Sequence, residues 1–260
     1  MPEKSYGGFT NSNQIEPTHL VAYWSFNGNL NDSSGKESPG LTGTNNGCTF
    51  TIGIKGQALE VGAGNYVVFN NPGTIIPNLK SYTITFWMNA PQNTKYGYGI
   101  FSLANSKDFW GNLDIYLDNG SSPDFVNFKV HMNNANGKNT GQFQGVHMNN
   151  AWNQWVQVAI TYDSSTTVST NFNIYQNGVS VYSTLLKDTT NNYGPLKFVN
   201  ATAFVIGTWQ FQTNPSLTTS ASAQGWAGSF NGALDEFRIY DKALSAGEVN
   251  SLFKLEKAGR

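Results

Sequence analysis

Hydrophobic and polar positions alternate in short segments along most of the chain, and clusters of Gly, Asn, Asp, Ser and Pro separate these segments. Phe128, Val130 and Met132 fall on one side of such a segment, with polar residues between them. This period of two predicts an antiparallel sheet with one face buried and one face in water, and therefore an all-β fold. The predicted strands are 20–26, 58–61, 66–69, 81–89, 99–104, 112–117, 125–132, 155–162, 171–176, 179–184, 203–209 and 232–240.

Two local signals refine this outline. Asn177-Gly178 separates two predicted strands, and this dipeptide favours a tight hairpin because both positions tolerate positive φ angles. Near the C-terminus, Ser245 and Glu248 have the spacing of a capping box at the start of an apolar helix face. The chain is thus predicted to end in one short helix that closes an end or an edge of a sandwich.

The composition narrows the range of partners. Only 12% of the 260 residues are charged and the net charge is −1, so we expect no basic surface for nucleic acid or an anionic membrane. No apolar run approaches the ~20 residues that a membrane span needs. A surface rich in Asn, Gln, Ser, Thr and Gly suits a neutral ligand that carries many hydroxyl groups.

The ends of the chain bear on domain organisation. Residues 1–18 are polar and contain Gly and Asn, which predicts a leader or linker, while residues 19–260 are predicted to form a single domain. The start lacks the apolar segment of a signal peptide. We expect a mature domain that acts outside the cell or at its surface, with neighbouring domains in a larger parent protein. The one cysteine, Cys48, can build neither a disulfide framework nor a multi-cysteine metal site.

Three stretches together resemble a known family. They are residues 20–35 (LVAYWSFNGNLNDSSG), 152–181 (WNQWVQVAITYD through FNIYQNGVSV) and 230–249 (FNGALDEFRIYDKALSAGEV). Their order and spacing resemble the laminin-G-like, concanavalin A-like domains of bacterial surface and secreted proteins. The resemblance implies a two-sheet antiparallel jelly-roll β-sandwich of about a dozen strands, with the first and last strands adjacent. Because the family contains binding modules, adhesins and some enzymes, the fold alone does not decide the function.

The catalytic patterns known on this fold are missing from the sequence. No glutamate begins the E-x-D-x-x-E run of laminarinase-type hydrolases, and Asp114 and Asp118 lie four residues apart on one strand, at ~13 Å. The sequence has no G-x-S-x-G motif, and its histidines lack metal-ligand spacing. A lyase would use His131 with Tyr116 or Lys129. We therefore expect a protein that is not an enzyme.

A calcium ion is the cofactor that the resemblance implies. Related domains often hold a structural calcium where the loop after the first strand meets the last strand, and Asp32 and Asp235 match those positions. Asn27 adds an oxygen donor in the same loop, and calcium prefers six to eight oxygens. Asp235 is expected to share the buried face of the last strand with Phe237, where a carboxylate needs a partner. The alternative is that Asp32 caps a turn and that Asp235 accepts backbone hydrogen bonds.

Loop aromatic residues are the best candidates for contact with a sugar ring. Trp24, Trp87 and Trp155 lie inside strand patterns and are predicted to be buried, whereas three other tryptophans lie in loops or at strand ends. The sequence VHMNN occurs at 130–134 and 146–150, and a hairpin would bring its polar residues onto one binding face with those of the strand 112–117. The predicted ligand-binding residues are Trp110, Asp114, His131, Asn133, His147, Trp209 and Gln210, with Tyr116 and Trp226 as further candidates.

Three functions remain open from the sequence. The first is a lectin-like domain that binds a polysaccharide or another glycan. The second is a structural or adhesive domain of a surface protein that binds protein. The third is a polysaccharide-degrading enzyme, a glycoside hydrolase or a lyase, for which a catalytic set of residues is lacking.

Overall fold

The computed structural model describes residues 4–37, 40–133, 142–165, 170–186 and 194–260. Within these ranges the chain forms sixteen β-strands and one α-helix. They are, in chain order, β1 (Leu20–Trp24), β2 (Thr44–Asn46), β3 (Thr49–Ile52), β4 (Gln57–Val61), β5 (Tyr66–Phe69), β6 (Tyr82–Asn89), β7 (Gly97–Leu103), β8 (Leu113–Asp118), β9 (Phe125–Met132), β10 (Gln142–Asn149), β11 (Val156–Asp163), β12 (Thr170–Gln176), β13 (Val179–Leu186), β14 (Phe204–Ile206), β15 (Ala227–Ser229), β16 (Gly232–Tyr240) and α1 (Ala246–Lys257).

The strands form two sheets of eight, as a jelly-roll sandwich requires. The first sheet has the order β13-β12-β11-β6-β16-β4-β3, and β1 also pairs with β16. The second sheet has the order β10-β9-β8-β7-β14-β5-β2. All pairs are antiparallel except the one between β15 and β7. The predicted jelly roll and the adjacency of the first and last strands are confirmed.

Aromatic side chains from both sheets fill the space between them. Trp24 of the first sheet contacts Phe69 of the second at a ring-centroid distance of 4.9 Å, and Phe237 contacts Phe101 at 5.7 Å. Phe128, Val130 and Met132 point into this core, as their alternation predicts. The hairpin at Asn177-Gly178 joins β12 to β13, and both residues have positive φ angles.

The outer face of the first sheet is covered, although its polar pattern predicts a wet surface. Thr83, Thr85 and Trp87 are buried there, because α1 packs across the sheet. The helix begins at the predicted capping box, in which Ser245 and Glu248 exchange hydrogen bonds. A helix on the outer face hides polar strand positions that alternation alone assigns to solvent.

Residues 4–18 also pack on this side of the molecule. Ile15 is buried in the small core beneath α1, and Ser12 is buried beside the last strand. The side chains of Ser12 and Asn13 accept hydrogen bonds from the guanidinium group of Arg238. Residues 4–18 therefore pack against the last strand and α1.

Candidate functional site

The residues predicted to bind calcium hold the main chain in place. Asp32 accepts hydrogen bonds from the backbone N–H groups of Tyr23 and Ser34 and from the Ser34 hydroxyl, each at 2.8 Å. Asn27 accepts one from the backbone N–H of Gln57 at 2.7 Å. These bonds fasten the loop after β1 to the end of β1 and to the start of β4.

Asp235 is buried as predicted, but on the other face of β16. The pairing of β16 with β6 contains a bulge. From Asp235 to Arg238 the chain of β16 advances by three residues, while the opposite stretch of β6, from Trp87 to Thr85, advances by two. Glu236, inside the bulge, has a φ angle of 48°. The extra residue changes the alternation, so Asp235 pairs with Trp87 on the outer face while Phe237 points into the core. The expectation that Asp235 and Phe237 share a face is therefore wrong.

The oxygens of these residues are largely used in hydrogen bonds to the main chain. The Asp235 carboxylate accepts backbone N–H bonds from Ile54, Lys55 and Glu236 at 2.7–3.1 Å. Like Asp32, it therefore uses three of the roughly four acceptor positions of a carboxylate, whereas calcium needs six to eight oxygens in all. Over the ranges that the structure describes, no group of three or more His, Cys, Asp or Glu side chains is arranged to hold a metal ion. Calcium stays a prediction from the sequence.

A second layer of aromatic side chains covers the outer face of the second sheet. Tyr116, on the outer side of β8, packs against Trp209 at 4.6 Å between ring centroids. Trp209 stacks on Phe211 at 5.5 Å, and Trp110 lies 5.7 Å from Trp209. The layer is separate from the core between the sheets. It gathers the aromatic residues of two loops, which the sequence places a hundred positions apart.

Two glycines of β7 let this layer approach the sheet. A Cβ atom on Gly99 would lie 2.6–2.7 Å from main-chain atoms of Thr208 and Trp209, which is closer than atoms can pack. A Cβ atom on Gly97 would lie 3.3 Å from the Trp226 ring, a tight contact, and 3.5 Å from the Trp209 ring. The Trp209 indole N–H donates to the Gly97 carbonyl at 3.0 Å. Glycine at these positions thus allows the segment after β14 to lie directly on β7.

Gln210 fixes the loop that carries Trp110. Its side-chain carbonyl accepts a hydrogen bond from the Asn105 backbone N–H, and its amide donates to the carbonyls of Asp108 and Phe109. Gln210 is completely buried, and its hydrogen bonds position this loop. Asn133, also buried, donates to the Asp108 carboxylate at 3.1 Å.

Asp114 is the centre of a buried hydrogen-bond network under Trp110. The Ser102 hydroxyl donates to its Oδ1 at 2.5 Å, the Gly111 backbone N–H donates to its Oδ2 at 2.9 Å, and His131 Nδ1 lies 3.1 Å from Oδ2. The Trp110 ring lies 5.2 Å from the His131 ring. All these polar groups are buried, so Asp114 and His131 support Trp110 from below.

This network has the residue types of a serine triad in a different order. In a catalytic triad, histidine lies between serine and the acid and removes the serine proton. Here the Asp114 carboxylate lies between Ser102 and His131, and the serine hydroxyl donates to the acid. The histidine is therefore not positioned to remove the serine proton.

The histidines of the two VHMNN sequences lie on the paired strands β9 and β10, but they are not opposite each other. In the pairing of β9 with β10, His131 is opposite Phe143, and His147 is opposite Asn127. The two histidines are thus four positions apart along the sheet, about 13 Å. His147 is exposed and stacks on Phe125 at 3.8 Å. The predicted hairpin forms, but it does not bring His147 to the other candidate residues.

Three aromatic rings form the exposed part of the layer. Trp226 and Phe143 are 40% and 47% exposed, and Trp110 lies between them at 6.0 Å and 5.4 Å. We call this row Trp226–Trp110–Phe143 the aromatic ridge. Trp209, predicted to face solvent, is completely buried beneath it, because Trp110, Trp226 and Tyr116 pack around it. Phe143 was missed, although its alternation with the buried Gln144 places an aromatic side chain on the outer face of β10.

Solved structures share this fold. Domain 4 of AbnA, a GH43 extracellular arabinanase from Geobacillus stearothermophilus solved with arabinotriose, is 19% identical, with a TM-score of 0.60 over 90% of this chain and 98% of that one. A structure reported for cell entry of botulinum neurotoxin type C, dependent upon interaction with two ganglioside molecules, is 17% identical, with a TM-score of 0.63. That match covers 92% of this chain and 52% of the toxin chain, so this chain spans about half of its length.

Sequence comparison assigns the family. No curated protein matches the chain at a significant level. The concanavalin A-like lectin/glucanases superfamily matches residues 61–250, which is most of the chain and includes β5 to β16 and the aromatic ridge. The chain therefore belongs to the concanavalin A-like lectin/glucanases superfamily.

Proposed function

We propose that this chain is a non-catalytic domain that binds a polysaccharide or another glycan outside the cell through the aromatic ridge. The observation that carries this proposal is the exposure of Trp226 and Phe143 on either side of Trp110. The apolar face of a pyranose or furanose ring packs on such rings, and aromatic side chains combine large contact area with low conformational entropy.

The rigidity of the ridge supports binding. Gln210 and Asp114 hold the loop of Trp110 through buried hydrogen bonds, so the ring is fixed before a ligand arrives. Fixing a side chain in advance lowers the entropy that binding costs. The fold is shared with the arabinanase domain solved with arabinotriose and with botulinum neurotoxin type C, whose cell entry is dependent upon interaction with two ganglioside molecules, and these glycans make carbohydrate the first class to test.

The carboxylates support a role without catalysis. Asp114 and Asp118 lie on one strand, about 13 Å apart, whereas glycosidases hold their two carboxyl groups ~5–10 Å apart. Asp114 is buried and bonded to Ser102 and His131, and Asp118 forms an ion pair with Lys129 at 2.5 Å. Both acids are thus engaged in structural contacts.

A glycan array that includes arabinotriose tests this function, with calcium and with chelator. We expect binding to at least one glycan, and Trp226→Ala and Trp110→Ala should each weaken it about tenfold, the loss of roughly 1.4 kcal/mol of ring contact. Leu185→Ala is the matched control, because Leu185 is an exposed apolar residue on β13 of the first sheet.

Two results would overturn the proposal. Binding whose affinity is unchanged by both tryptophan substitutions would place the glycan elsewhere on the domain. The absence of binding to any glycan in either buffer would favour a structural or adhesive domain that binds protein.

A further inference from the structure

A cleft of about 350 Å³ lies on the outer side of the first sheet, on residues that do not belong to the aromatic ridge. Its floor is Ala233 of β16, which pairs with Glu60 of β4 on one side and with Asn89 of β6 on the other. Neighbouring strands are ~4.8 Å apart, so Glu60 and Asn89 stand roughly 10 Å from each other across the alanine methyl. This gap has the width of one sugar ring with its hydroxyl groups.

Trp155 forms a wall of the cleft. It precedes Val156, which pairs with Met88, so Trp155 lies beside Asn89 at the edge of β6. Predicted to be buried, Trp155 is in fact partly exposed, and it lines both this cleft and a neighbouring one of about 300 Å³. The turn before it is fixed, because the Asn153 backbone N–H donates to the Ala90 carbonyl at 2.8 Å.

Polar side chains without protein partners surround this indole. In the part of the chain that the structure describes, Glu60, Asn89, Asn153 and Asn231 line the cleft and make no side-chain hydrogen bond to the protein. Other asparagines are used differently: Asn112 bonds to three main-chain groups and holds a loop. The cleft therefore offers three free amides and one carboxylate around a flat aromatic ring.

We propose that this cleft is a second saccharide-binding site, selective for neutral sugars. Amides donate and accept hydrogen bonds, and a carboxylate accepts them, so the set matches the hydroxyl groups of a sugar. Trp155 supplies the stacking surface. Glu60 is the charged residue in the lining, so an acidic sugar would meet a like charge with no cation to offset it. The volume lies within the ~300–1,000 Å³ of small-molecule sites.

Two sites on different sheets would change how the domain binds a polymer. The ridge lies on the outer face of the second sheet, and the cleft lies on the outer face of the first. One domain could then hold two chains of a polysaccharide, or two segments of one chain, and gain avidity from the second contact. The cleft rests on the proposed function only for its class of ligand, since it shares no residue with the ridge.

Indole NMR signals can report the two sites separately. The Nε1–H signals of the seven tryptophans would be followed during titration with arabinotriose, xylotriose, N-acetylchitotriose and, as an acidic probe, trigalacturonic acid. Trp155→Phe identifies the Trp155 signal, and Trp226→Phe that of the ridge. Trp152 is the internal control, because its indole is buried and donates to the Ser122 carbonyl at 2.7 Å.

We expect at least one neutral trisaccharide to shift the Trp155 signal, in the wild type and equally in Trp226→Ala. Asn231→Ala, a change at an exposed position, should weaken that response severalfold while the signal of Trp152 stays fixed. A shift of Trp226 without any shift of Trp155 would overturn the second site and leave the ridge intact. A Trp155 shift that is as large with trigalacturonic acid would overturn the selectivity for neutral sugars. If no probe shifts Trp155, the second site is refuted whatever the ridge binds.

Discussion

Protonation of Asp235 links the stability of this domain to pH. The carboxyl group is completely buried, and this burial raises its pKa from 3.8 to about 7. Hydrogen bonds from the backbone N–H groups of Lys55, Glu236 and Ile54 oppose the rise, while the negative charge of Glu236 adds to it. The unfolded chain has the ordinary pKa, so between about pH 4 and about pH 7 the folded protein holds one proton more than the unfolded one.

The sign and size of the effect follow from this difference in bound protons. A raised pKa in the folded state gives stability that is complete below the unfolded pKa and is lost as the pH rises through the folded value. Each pH unit in this window costs about 1.4 kcal/mol for one proton, so about 2.7 kcal/mol disappears between roughly pH 4.5 and pH 6.5. Glu256, whose pKa burial also raises to about 7, acts in the same direction and steepens the dependence.

Urea unfolding followed by tryptophan fluorescence at a series of pH values measures this slope. We expect Asp235→Asn to flatten the fall in unfolding free energy by about 1.4 kcal/mol per pH unit. The amide also loses an acceptor facing the N–H groups of Ile54 and Lys55, which costs about 1–3 kcal/mol at every pH without changing the slope. Asp124→Asn is the matched control, because Asp124 is exposed. Equal slopes for Asp235→Asn and the wild type would show that Asp235 is already ionised in the folded protein.

Three further changes test the packing. Glu256→Ala should cost about 3 kcal/mol in urea unfolding at about pH 8, where the Glu256 carboxyl group is ionised, because the buried Arg238 then keeps only the Glu236 carboxylate and the Trp87 indole N–H loses its acceptor; a loss below about 1 kcal/mol would contradict this. Gly99→Ala should displace Trp209, with a loss of about 1–3 kcal/mol and a changed near-UV circular dichroism spectrum; an unchanged spectrum would refute the close contact. Millimolar calcium and chelator should give the same melting temperature, since hydrogen bonds already occupy Asp32; a calcium-dependent rise that Asp32→Asn removes would restore the calcium site.

Most of the fold could be predicted from the sequence because alternation reports which strand face is apolar. Phe128, Val130 and Met132 enter the core between the sheets as their spacing requires. Alternation cannot report what covers the opposite face. Thr83 and Thr85 look like solvent positions, yet α1 and the segment around Ile15 lie over that side of the sheet. The cover depends on how distant segments pack, which no local pattern encodes.

The sequence predicts only roughly where the candidate site lies, because local patterns do not show how distant loops pack on one another. Loop aromatics indicated the correct side of the molecule, where Trp226 is exposed and Trp110 is half-buried beside it. Trp209 has the same loop context in the sequence but lies beneath them, because Gly97 and Gly99 let its segment descend onto β7. The burial of Trp209 therefore depends on glycine residues of the neighbouring strand β7.

Several of the polar residues that the sequence predicts to bind a ligand are buried beneath the loop that carries Trp110. Asp114, His131 and Gln210 have the chemistry of sugar contacts, but their hydrogen bonds are directed at the loop that carries Trp110. Each bond is shielded from water, so losing one partner leaves a buried polar group and shifts the loop. Substitutions at these positions should therefore weaken glycan binding together with stability. Changes at Trp226 should weaken binding alone, because its exposed ring contributes less to the fold.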